Sequence, residues 1–123
     1  MREKQRKVKL YFRQGWVSFP VFGGYVVYFV ETNDFDLAIQ HLKLKSHGPC
    51  EGAEAMTWVA KDGGYSYILV KPKSPIHHIV HECWHAIYHM LTFRNVSLDD
   101  EENIAYHLDY LVSKAMKFYG KEK

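Results

Sequence analysis

Two cysteines in 123 residues, Cys50 and Cys83, are too few for a disulfide framework, so a core must hold the fold, and a reducing compartment would keep both thiols free. Long apolar runs are missing too. The longest, residues 25–30, is far shorter than the roughly 20 residues that a membrane-spanning helix needs. No secretory signal pattern is visible, because the basic start and residues 8–12 lead into aromatic and polar residues rather than an apolar stretch with a small-residue cleavage site. The expectation is therefore a soluble, cytoplasmic chain with no membrane partner. The Asn95-Val96-Ser97 sequon carries no meaning without secretion. Charge of one sign is not in excess either: a net charge of +2 gives no global argument for nucleic acid. Arg2, Lys4, Arg6, Lys7 and Lys9 crowd the start of the chain, but a charged terminus reads as solvated, so a nucleic-acid partner is not expected. Internal repeats and low-complexity segments are absent. With 47% hydrophobic residues, residues 1–123 are read as one domain with a real core.

What the chain does have is a helix signal over residues 74–91. Ser74 can cap its first amides, Pro75 suits the first turn, and apolar residues recur at Ile76, Ile79, Val80, Cys83, Ile87, Met90 and Leu91. Inside it stands His81-Glu82-Cys83-Trp84-His85. At 3.6 residues per turn His81 and His85 share one face, with Glu82 beside them. In such a spacing two imidazoles hold zinc and the carboxylate works on water at the same metal. The His and Glu frequencies give roughly a 3% chance of such a pattern by accident in this length, so the helical phase and the cap carry the assignment. His77 and His89 extend the ladder at the same spacing, but one ion takes two successive rungs and a donor from elsewhere.

Around this helix, residues 7–12 and 16–19 read as a strand or loose hairpin broken at Gln14-Gly15, and residues 25–31 as a stronger strand. Asn33 or Asp34 can cap a helix over 35–44. Residues 54–60 and 65–70 form a hairpin around Asp62-Gly63-Gly64. The motif helix should end near Thr92 or Phe93. Ser97-Leu98-Asp99-Asp100 has capping-box spacing for a last helix to about Tyr119, with Ile104, Leu108, Leu111 and Ala115 as its buried stripe. The expected class is α+β: a small, mainly antiparallel sheet packed on the motif helix and on a C-terminal helix bearing glutamates.

A catalytic zinc site wants three protein ligands and an open position. Candidates for the third are Glu101, Glu102, His107 and Asp109, with Cys50 and His47 in a loop. Glu102 is preferred to Glu101, because Ala105 on nearly the same face would let the two helices approach. His81-Glu82-Cys83-Trp84-His85 followed by Glu102-Asn103-Ile104-Ala105 resembles gluzincin zinc metallopeptidases, and with Asp100-Glu101-Glu102 and Ala105-Tyr106 it is similar to small phage-encoded proteins of the same HExxH type. The resemblance covers the C-terminal half. It implies a zincin-like fold, zinc held by His81, His85 and Glu102, Glu82 as catalytic base, a peptide or protein substrate and, for a phage protein, the host cytoplasm. Cys83 and Ala86 also give a likeness to SprT-type proteases, for which His107 would be the third ligand. Tyr106 is the candidate donor to the developing oxyanion, and Asp109 could support a ligand histidine. The rival reading is a non-catalytic zinc-binding or interaction module, in which a further protein ligand replaces the open position.

Overall fold

Four short strand segments and three stretches of helical period give four strands and three α-helices among the described residues. The computed structural model describes residues 9–121 apart from 49 and 51. Arg2, Lys4, Arg6 and Lys7, with the first residues of the expected N-terminal strand, lie outside the described residues. In chain order the elements are β1 (Phe12–Phe19), β2 (Tyr25–Thr32), α1 (Phe35–His41), β3 (Ala55–Val59), β4 (Tyr65–Val70), α2 (Ile76–Phe93) and α3 (Glu101–Phe118). The sheet order is β1-β2-β4-β3. Both hairpin pairs are antiparallel, but the central pair, β2 with β4, is parallel, so the expected mainly antiparallel sheet is a mixed one. The chain leaves β2 through α1 and re-enters the sheet by the β3–β4 hairpin, and that crossover makes the central pair parallel.

Each face of the sheet has its own core. Val17, Phe19, Tyr25, Val27, Phe29, Ile68 and Val70 pack against Ile79, Cys83, Ile87, Leu111 and Ala115 of α2 and α3. Val30, Trp58, Tyr67 and Leu69 face the other way, towards Phe35, Ala38 and Ile39 of α1. The layers are α1, sheet, helix pair. Tyr119, just beyond α3, fastens the layers: its hydroxyl donates to the Ile68 carbonyl at 2.7 Å and accepts from the Val30 amide at 3.2 Å. Burial raises its pKa well above the ordinary phenol value. Tyr119→Phe leaves that buried amide without its phenol partner, so the urea midpoint should fall by an amount worth about 1–3 kcal/mol at unchanged m. An unshifted midpoint would show that the phenol adds nothing to stability.

Several local expectations change for identifiable reasons. No break occurs at Gln14-Gly15; β1 runs straight through, and a Cβ on Gly15 would stand 2.8 Å from the Phe118 ring, so glycine lets α3 close on the strand. The turn instead uses Pro20–Phe22 and Gly23-Gly24, both with positive φ. Asp34 caps α1, accepting from the Leu37 amide at 3.0 Å, and the helix stops at His41 because Lys43 turns left-handed at φ 60°. Ser74 does not cap α2; Pro75 occupies the cap, and the Ser74 hydroxyl donates to the Glu54 carbonyl at 3.3 Å. Asp100, not Ser97, caps α3, accepting from the Asn103 amide at 3.1 Å. His107, Leu111 and Ala115 are its buried stripe, with Ile104 and Leu108 half-buried beside them.

Candidate metal centre

The Ser74–Glu54 bond pins the start of α2 to the residue before β3, and from there the helix runs over β3 and β4. Its last residue, Phe93, packs on Gly63 of the far hairpin turn and on Tyr25. This path fixes the rotation: Ile79, Glu82, Cys83, Ala86, Ile87, Met90 and Leu91 face inward. His81 is left exposed and His85 half-buried on the flank towards β3. Their Nε2 atoms are 3.2 Å apart. Two donors held about 2.0–2.1 Å from one tetrahedral zinc stand about 3.3–3.4 Å apart, so the pair is spaced for a shared ion with almost no adjustment. The same distance also fits an N–H···N hydrogen bond between two neutral imidazoles.

Glu82 is 8% exposed. Its Oε1 accepts from the Thr57 hydroxyl at 2.6 Å, the short distance of a charge-assisted bond. Thr57 sits in the middle of β3 on the side facing α2. Among the described residues, no hydrogen bond engages Oε2. Thr57 carries no signal in the sequence, because nothing in the strand marks which of its residues faces the helix carboxylate. A cavity of about 350 Å³ opens beside the pair, lined by Glu54, Ala55, His77, His78, His81 and Glu82. Among the described residues His78 Nδ1 is buried without a hydrogen-bond partner. Because β3 is an outer strand, its free edge borders this region, whereas β2 is enclosed between β1 and β4 and has no edge to offer.

The remaining candidates lie elsewhere. Contacts of α3 with the sheet run from His107 on Phe22 to Phe118 on Gly15, opposite in sense to α2, so the helices are antiparallel. Glu101 and Glu102 are exposed in the first turn of α3, at the end of α2, and His85 is eight residues back from Phe93, about 12 Å along the axis. In addition, α3 packs on the β1 side of α2, while His81 lines a cavity with Glu54 and Ala55 at the start of β3. Glu102 is therefore not brought to the pair. Among the described residues no three His, Cys, Asp or Glu side chains are grouped to hold an ion. Tyr106, the candidate oxyanion donor, is 67% exposed beside Pro20 and Val21 and is not brought to Glu82. His107 is buried with its ring 4.7 Å from Phe22, on the β1 side of the helix pair, and desolvation lowers its pKa; the third ligand expected of a SprT-type site is not brought to the histidine pair. Asp109 is exposed. Cys50 lies near Asp34 and Asp36, and His47 stacks on Trp58, so neither reaches the pair. His89 is half-buried; desolvation first, and His85 second, lower its pKa. Compared with known protein families, characterised proteins and solved structures, the chain matches none.

Proposed function

We propose that the chain is a zinc-dependent peptidase whose metal is held by His81 and His85 and whose catalytic base is Glu82. The observation that carries the reading is the 3.2 Å spacing of the two Nε2 atoms beside a buried carboxylate on the same helix. Zinc bound there would supply Lewis acidity and bring the pKa of water towards neutrality. The residues of the chain do the rest. Thr57 holds Glu82 Oε1, which fixes the carboxylate plane and leaves Oε2 to accept a proton from the attacking water and pass it to the leaving amine. The free edge of β3 offers main-chain partners to an extended peptide next to the histidine pair.

The third donor has two sources. Glu54 shares the cavity wall with His81 and Glu82, whereas Glu102 is implied by the resemblance and would require the first turn of α3 to move. Zinc affinity separates them: Glu54→Gln loosens the metal in the first case, Glu102→Gln in the second. No helix among the described residues is long and apolar enough to cross a membrane. The resemblance to phage-encoded proteins is what supports action on a peptide or protein in the host cytoplasm.

Calorimetry should find one zinc per chain, and chelation should abolish hydrolysis of a peptide library until zinc is restored. A chain that takes up no zinc ends this reading. One observation favours a rival, the non-catalytic zinc-binding module: the Thr57 hydroxyl lies 3.2 Å from the Glu82 carbonyl as well, so Glu82 also ties α2 to the sheet. Zinc uptake without any hydrolysis would select that module.

A further inference from the structure

We propose that the sheet face turned away from α2 and α3 binds single-stranded nucleic acid. One aromatic side chain from each strand meets in a single row across that face, since Trp16 pairs with Tyr28, Tyr28 with Tyr67, and Tyr67 with Trp58 in the strand registers. Tyr28 and Tyr67 stack with ring centroids 4.5 Å apart, and Tyr65 packs edge-on to both, at 6.1 Å. From the loop before β3, His47 lies flat on Trp58, with centroids 4.9 Å apart and planes 8° from parallel. The short α1 covers the other end of this face, over Val30 and Leu69, and leaves the aromatic row to one side.

Exposure divides the row into support and contact. Tyr67 and Trp58 are 8% and 4% exposed and anchor the rest. Trp16 is 64% exposed, His47 is exposed, and Tyr28 and Tyr65 are half-buried, so planar groups are presented along the row. Three strand-to-strand steps of about 4.8 Å make it about 14 Å long, room for the two or three bases that sheet-based RNA-binding domains stack.

Charge selects among planar ligands. At the Trp58 end a cleft of about 340 Å³ is lined by Lys43, Lys45, Lys61, His47, Trp58 and Tyr65. Among the described residues its one acidic lining residue is Asp62, which already accepts from the Gly64 amide at 3.0 Å. Lys43 is held there with φ at 60°, a conformation side chains other than glycine seldom take. Ammonium groups beside an aromatic row suit phosphates following unstacked bases, and a duplex, whose base faces are already stacked, cannot use the rings. The zinc reading has no part in this proposal, since no residue of the histidine pair lies on this face.

The test is fluorescence anisotropy with the full chain and a labelled oligothymidylate of about 15 nucleotides, against a duplex of equal length. The single strand should bind more tightly. Trp16→Ala, at an exposed position, should weaken binding about tenfold with an unchanged melting temperature. Changing Lys43, Lys45 and Lys61 together to Ala should flatten the log–log salt slope by about 2. Three results overturn the proposal: no binding at low salt, equal affinity for the duplex, or undiminished binding by both variants. The last would move the contact to the basic residues 2–7.

Discussion

Glu82→Gln is expected to lower kcat for peptide hydrolysis by roughly 10²–10⁴-fold while zinc still binds one to one. The substitution keeps the shape of the side chain and its carbonyl oxygen, so Thr57 can still donate to it and α2 stays seated on β3. What it removes is the proton acceptor. A measurement of zinc content and of single-turnover hydrolysis on the same sample separates the roles. If the variant turns over like the parent, Glu82 is a tether and nothing more.

His81→Ala should weaken zinc binding by more than about 100-fold, beyond the 10–100-fold typical of losing a partner behind a ligand. The residue is exposed and, among the described residues, hydrogen-bonds only to His85, so the apo-protein should melt as before. Competition against a chromophoric chelator gives the affinity, and His77→Ala, one turn earlier, serves as the control. Equal losses in the two variants would mean that the cavity histidines bind as a group and that the motif pair has no special place.

The motif helix was legible because three signals agreed on it: the His81–His85 spacing, the apolar phase and the later acidic helix start. Its start is ambiguous in sequence, since a serine before a proline looks like a cap whether its hydroxyl turns to the helix or, as Ser74 does, to Glu54. Glu102 stands apart from the pair for a reason that counting alone exposes. A helix that continues to Phe93 and then reverses places the first turn of its partner beside residue 93, not beside residue 85. The flank on which α3 packs was beyond reach, because helical phase defines a stripe but not its left or right neighbour. Sheet order has the same character: residues 25–31 and 65–70 read as strands, yet their parallel pairing depends on a crossover through α1 that leaves no mark in either strand. A net charge of +2 likewise concealed Lys43, Lys45 and Lys61, which come together only once the β3–β4 turn folds back towards the end of α1.

Cys83, between the proposed base and the second histidine, is wholly buried, and burial pushes its thiol up to about 12. A thiol in that state offers almost no thiolate to alkylating agents or to oxidants at neutral pH. Reagent can reach it only in molecules whose α2 has lifted from the sheet, whereas Cys50 is half-buried in a loop. The chain thus carries its own clock for helix detachment, read as the rate at which the second of its two thiols is labelled.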